Sequence, residues 1–309
     1  MLTRTIDRLV IITALTALAA MAALAEMAAA ADILKWTGCG IAKEAFMAEA
    51  VNAYKKKTGV LIGISGGGAT KGIRAANSGA AHMGGNCRPS LADKFPTEEG
   101  DVYLTVVAWD ALVPIVHQDN PVDSLTGEQL KQILLGQITN WQDLGGPDRK
   151  ILVVAREGKS SGVGYMVRKV IFGNTEVDYA ADALLLKSSG PVENKVKSDV
   201  SAIAVTGISS ARKRVENHES LKVLAVDGNQ ATVANIASGA YPTFRPLYLS
   251  TKGQPSGPVK DFLDWLTAAE GQKIVEAVGT VSMRQAVGLK TKFKHWEDTG
   301  RVVNFAAMP

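Results

Sequence analysis

The chain has 309 residues, 46% of them apolar and 21% charged, and carries a formal net charge of +4. This length suits one large domain or two lobes. The mild positive balance favours anions only weakly, and no dense basic run interleaves with aromatics as a nucleic-acid footprint would require. Four histidines and scattered acids form no HExxH and no paired-cysteine knuckle.

In chain order, the first element is a leader. Arg4 and Arg8 precede an apolar stretch from Leu9 to about Ala25, followed by the small residues Ala28 to Ala31. This is the pattern of a secretory signal peptide over 1–31, with cleavage near Ala31 and export to the periplasm or beyond. A membrane anchor fits less well, because the stretch is short for a span and Glu26 interrupts its end.

Strand-like and helical segments then alternate. Ile33 to Trp36 reads as a strand, and Ile41 to Lys57 as a helix with apolar residues at three- to four-residue spacing, stopped by Gly59. Val60 to Ile64 is the next strand. The run SGGGATKGI turns into a helix ending near Ser78. Tyr103 to Val107 and Leu112 to Val116 are expected as two strands with a bend at Trp109 and Asp110. In SLTGEQLKQIL, Thr126 caps a helix and Gln129 occupies the capping-box position.

The later half repeats the pattern less regularly. Strands are expected at Ile151 to Val154, Ala202 to Val205, Leu221 to Val226 and Pro246 to Leu249, with a helix over about Gly164 to Val170. Pro258 to Val278 reads as one long helix with a stripe of Phe262, Trp265, Leu266, Ile274 and Val275. Phe293, Trp296, Val303 and Phe305 suggest a tail packed on the body. The βα alternation predicts open, mostly parallel α/β sheets with ligand chemistry at strand ends.

Two loops offer free backbone N–H groups to an anion: Gly66, Gly67 and Gly68, and Ser160, Ser161 and Gly162, each opening a helix. A tight strand–helix turn is the plainer reading of such a loop. Arg156, just upstream of the second loop, has a guanidinium suited to bidentate grip on an oxyanion, though single arginines usually face solvent. No nucleophile–base–orienter set is visible, since no histidine can be placed beside Ser65, Ser160 or Ser161. His82 and His117 read first as packed or capping residues.

The stretch DALVPIVHQDNPVDSLTGEQLKQILLGQITNWQDLGG, Asp110 to Gly146, resembles the central signature of periplasmic phosphate-binding proteins, the receptors of phosphate ABC importers. VVAREGKSSG resembles that family's arginine loop and GISGGGATKGI its second anion loop, and the similarity runs from about Ile33 to Val281. The resemblance implies a two-lobed α/β periplasmic-binding-protein fold with open mixed sheets and crossing hinge strands. One lobe would hold 32–112 plus 246–309, the other 113–245, with the anion enclosed between them. It also implies a monomer without a cofactor that performs no catalysis, and an ABC permease as partner. A membrane sensor as partner and a phosphatase-like enzyme are the competing readings.

The ligand loops depart from the family pattern. Arg156 matches the arginine, and Ser161 and Gly162 match the next two positions with one residue inserted, but Val163 stands where a hydroxyl residue is usual. Gly67 falls where a serine is expected, and the first loop reads CGIAK, beginning at Cys39 and Gly40. The usual carboxylate aligns with Cys87, so the chain's two cysteines both fall in loops the resemblance places at the cleft. Three readings stay open: a disulfide between them, a thiol pair for a thiophilic ligand such as arsenite or copper with His82 nearby, or two separate inert thiols.

Overall fold

The computed structural model describes residues 33–292. The leader and the tail aromatics Phe293, Trp296, Val303 and Phe305 lie outside the described residues. Among those described, no helix is long and apolar enough to cross a membrane.

The first half of the architecture is built on three short parallel strands. β1 (Leu34–Gly38) pairs with β2 (Ile62–Gly66) on one side and β3 (Met83–Asn86) on the other. Between β1 and β2 the chain makes a helical turn and a π-helical segment, then α1 (Ala48–Thr58). Gly59 ends α1 with a φ of 79°, a left-handed conformation that only glycine adopts cheaply. Between β2 and β3 lies α2 (Gly68–Ser78), whose buried Ala69, Gly72, Ile73 and Ala76 recur at helical spacing and pack on the sheet.

β4 runs unbroken for sixteen residues, Val102–His117, where the sequence suggested two strands and a bend. Asp110 is no turn residue. It is fully buried within the strand, and Arg245 of the neighbouring strand neutralises it. The irregularity in β4 sits instead near Val107, where the register against the long strand β11 (Phe244–Lys252) shifts by one residue.

β4 crosses from one half of the sheet to the other. Val102 to Ala111 pair antiparallel with β11, which also pairs antiparallel with β3, whereas Leu112 to Val116 pair antiparallel with β8 (Ala202–Gly207). Beyond β8 come β6 (Leu152–Arg156) and β7 (Leu184–Leu186), both parallel, while β9 (Leu221–Val223) pairs with the end of β4. β5 (Ser124–Leu125) and β10 (Ala225–Val226) form a small separate ribbon. The sheets are therefore mixed, less parallel than the βα rhythm suggests. The bilobed α/β class inferred from the sequence is the one observed.

Helices cover the second half in the same way. α3 (Gly127–Leu134) begins with the capping box anticipated from Thr126 and Gln129, with reciprocal bonds of 3.0 and 2.8 Å. α4 (Gly162–Val167) continues as a π-helical turn to Phe172, and α5 (Ser189–Ser198) and α6 (Ile208–Glu216) flank β8. The long C-terminal helix is broken. α7 (Gly257–Thr267) and α8 (Ala269–Ala277) are separated by an extended Ala268. The break lets buried Gln272 donate to Val107 O and Leu266 O and accept from Met283 N.

Candidate functional site

Strands of two separate parallel sets, β1, β2 and β3 in one half and β6 in the other, deliver the expected loops to one place. Cys39 follows the C-terminal end of β1, Gly67 and Gly68 follow β2, Cys87 follows β3, and Arg156 ends β6. The C-terminal edge of parallel strands is where open α/β sheets gather ligands, because the connections diverge there.

The glycine loop is built for exposed backbone donors. Gly67 and Gly68 have φ of 145° and 87°, which a side chain would strain, and no side chain caps the N-terminus of α2. A Cβ placed on Gly68 would lie 3.9 Å from Nη2 of Arg156, so the arginine reaches across the cleft to this helix start. Gly66 is an exposed strand end, and Gly40 is exposed at the opening of the turn that follows Cys39.

Arg156 is set apart by what surrounds it. Four arginines are buried among the described residues: Arg88, Arg156, Arg168 and Arg245. Arg88 forms two 2.8 Å bonds to Glu99, Arg245 bonds Asp110 at 2.9 Å, and Arg168 lies 3.8 Å from Asp178 and over the ring of Tyr179. Arg156, only 8% exposed, has Leu186 O at 3.1 Å and no carboxylate among the described residues within ion-pair distance. Burial lowers its pKa, opposed by the negative character of Cys87 and Cys39. A desolvated guanidinium with spare donors is a receptor for an anion.

The second loop meets the first half of the molecule directly. Ser160 O accepts from Thr70 Oγ1 at 2.8 Å and from Arg88 Nε at 2.7 Å. Ser161 Oγ is turned inward onto Gly158 O at 3.0 Å. Gly162 is buried at the start of α4, where a Cβ would come within 2.6 Å of Cys87 Sγ and 2.9 Å of Ala69 Cβ. Val163 is buried and apolar.

Both cysteines are buried and free in this structure, so the disulfide expected as one alternative is not the state seen. Interaction between the two thiols raises the pKa of Cys39 and, with help from the nearby Arg245 and Arg156, lowers that of Cys87 against the effect of burial. Cys39 Sγ also accepts from Ala42 N at 3.3 Å. His82 does not join them. Its ring is exposed and accepts from Lys35 N at 2.9 Å, and no group of three or more metal-type ligands assembles among the described residues. In this structure the side chain of His82 is engaged with β1 rather than with the thiols.

Two buried ion pairs escaped the sequence reading. Asp110 accepts from Arg245 Nη2 at 2.9 Å and from Ser209 N and Oγ at 3.1 and 2.8 Å, while Arg245 Nη1 donates to Cys87 O at 3.2 Å. This network ties the crossing strands to the Cys87 loop and to the start of α6. Arg88 and Glu99 form the second pair. The available signal was a lone charge inside an apolar strand pattern, Asp110 in VVAWDALV and Arg245 in TFRPLYL, because charges at such places are buried only when paired. A cavity of about 220 Å³ opens at the rim, lined by Lys94, Lys159, Ser160 and Glu176 among others. Neither Arg156 nor the glycine loop lines it.

A family model described as a PBP superfamily domain matches residues 26–270. The chain belongs to the PBP superfamily. As a PBP-superfamily member it is a binding protein rather than an enzyme, and the phosphatase alternative falls away. Its relatives include the phosphate-binding protein PstS of Borreliella burgdorferi, 30% identical over 185 residues, which are 58% of this chain and 66% of that protein. The PstS of Bacillus subtilis is 26% identical over 251 residues, covering 80% of this chain and 79% of that one. Among solved structures, a Clostridium perfringens protein assigned to phosphate ABC transport and holding bound phosphate superposes with a TM-score of 0.73. It is 28% identical, and the match covers 81% of this chain and 99% of that one.

Proposed function

We propose that this PBP-superfamily protein is an exported solute-binding receptor that captures a small, phosphate-like oxyanion in its interlobe cleft and presents it to an ABC permease. The single observation that carries this reading is Arg156, a buried guanidinium with no carboxylate partner among the described residues, facing the uncapped helix start at Gly68. The phosphate-binding relatives give the class of anion. Lobes of 32–112 plus 246–309 and of 113–245 would close by hinge motion about the crossing strands β4 and β11. Arg156, Gly66 to Gly68, Ser160 to Gly162, Cys39, Gly40 and Cys87 would line the ligand.

The proposed site is an altered one. Where the family resemblance implies a carboxylate, Cys87 stands, and where it implies a hydroxyl, Val163 stands. A sulfur is a weaker hydrogen-bond acceptor than a carboxylate oxygen, so selection for a protonated oxyanion is weakened and sulfate, which carries no proton, competes better with phosphate.

Calorimetry with phosphate, arsenate and sulfate tests the reading. Arg156→Ala should lose about 2–5 kcal/mol of affinity for the preferred anion, the cost of removing one partner from a buried charge-assisted pair. Arg156→Lys should recover only part, because the fork geometry is lost. Unchanged affinity in Arg156→Ala removes this residue from the site, and absence of binding to all three anions overturns the function.

A further inference from the structure

Cys39 and Cys87 continue adjacent parallel strands. β1 and β3 pair as far as Gly38 and Gly85, and Cys39 N then donates to Gly85 O at 3.0 Å. Neighbouring strands lie about 4.8 Å apart, and disulfides bridge Cα separations of about 4.4–6.8 Å. Continuing this register puts Cys39 opposite Asn86 and Cys87 one residue further on, and the diagonal of one strand spacing and one residue rise, about 6 Å, falls within that range. The thiols face each other in a site that also holds Arg156 and Arg245.

Cys87 is 1% exposed and Cys39 6% exposed. Cys87 belongs to one half of the molecule, but the backbone that covers its sulfur is Gly162, from the other half. The same loop is held in place by the bonds from Thr70 and Arg88 to Ser160 O. An outside reagent reaches the sulfur only when these halves part.

We propose that Cys39 and Cys87 form a dithiol–disulfide couple, open to small-molecule disulfides only while the cleft is open, so that anion occupancy controls its oxidation. Cys87, the sulfur uncovered when Gly162 moves away, attacks first as thiolate, its charge stabilised by the Cys39 thiol and by guanidinium groups. Its sulfur bonds to one sulfur of the oxidant, the oxidant's S–S bond breaks, and one thiolate leaves. Cys39 then gives its proton to water and attacks the Cys87 sulfur, forming the internal disulfide and expelling the second thiolate. The two cysteines lose two electrons and two protons, and the oxidant disulfide takes them up as two thiols. The couple stands on the cysteines alone. Its control by anion rests on the function proposed above.

The test uses the full chain, reduced and then freed of reductant, with glutathione disulfide as probe. Intact mass should fall by two hydrogens, iodoacetamide uptake should drop from both thiols to none, and peptide mapping should show a Cys39–Cys87 link. Cys39→Ser should stop at a glutathione adduct on Cys87. Saturating phosphate, arsenate or sulfate should slow oxidation by about tenfold or more, because it depletes the open form. Urea-unfolded protein serves as the control that both thiols react. A native protein that yields no internal link, or two independent adducts, overturns the couple. If calorimetry on the reduced protein detects anion binding but oxidation is not slowed, the gating is overturned alone. If no anion binds, gating and the proposed function fall together, while the internal link still decides the couple.

Discussion

Replacing Arg88 with methionine tests how the glycine-loop half is locked against the arginine loop. All five guanidinium donors of Arg88 are used. Two meet Glu99 at 2.8 Å each, and the others meet Pro89 O at 2.7 Å, Thr70 Oγ1 at 3.1 Å and Ser160 O at 2.7 Å. Both partners of the ion pair are fully buried. Arg88→Met keeps the apolar stem of the side chain but leaves the Glu99 carboxylate with the N–H of Leu91 at 2.9 Å and Arg74 Nε at 3.5 Å. Stranding a buried charge in this way costs about 3–5 kcal/mol. The bond from Nε to Ser160 O adds a second effect, because it links the two halves and its loss favours the open form.

Urea unfolding followed by tryptophan fluorescence reads the first effect, and small-angle scattering of anion-saturated protein reads the second. Glu99→Leu in the Arg88→Met background removes the stranded charge and should regain at least about 1 kcal/mol, a coupling of the size found between contacting residues. A loss below about 1 kcal/mol in Arg88→Met would refute the reasoning, since a stranded buried charge cannot cost so little. A double variant no more stable than the single one would refute it equally.

Two further outcomes follow from the same geometry. Burial raises the pKa of Glu99, but the hydrogen bonds and charge of Arg88, with the Leu91 N–H and Arg74, outweigh it and leave the carboxyl below its ordinary range. The stability this confers is complete above the ordinary carboxylate range and is lost as pH falls through the depressed value, so the gap in melting temperature between wild type and Glu99→Gln should narrow on acidification, and a gap independent of pH would exclude the linkage. Gly84→Ala should lower the melting temperature by the equivalent of about 1–3 kcal/mol, because the new Cβ would lie 2.3 Å from Gly72 O and 2.4 Å from Ser250 Oγ; an unchanged melting curve would show that α2 sits less tightly on the sheet than its backbone indicates.

The sequence by itself determined the features that depend on near neighbours. Periodicity located α1 and α2, the Thr126–Gln129 box marked the start of α3, and the glycine and serine loops before α2 and α4 announced backbone donors at helix starts. These signals are local because caps and amphipathic stripes are made within a few residues of each other. The long ITNW-type stretch carried the family resemblance, and with it the two-lobed class.

Tertiary structure alone decided the rest. Asp110 looked like a bend until Arg245, 135 residues away, neutralised it and let β4 run through. The C-terminal helix looked continuous, but it breaks at Ala268, and the break seats Gln272 against Val107 O. His82 is near Cys87 in sequence but turns to Lys35 N, whereas Cys39, far off in sequence, turns to Cys87. The decisive property of Arg156 is that no carboxylate among the described residues lies within ion-pair reach. No segment of sequence encodes such an absence, because it depends on every element that packs around the guanidinium, and a charge inside a folded protein is paired or free according to where the whole chain places its carboxylates.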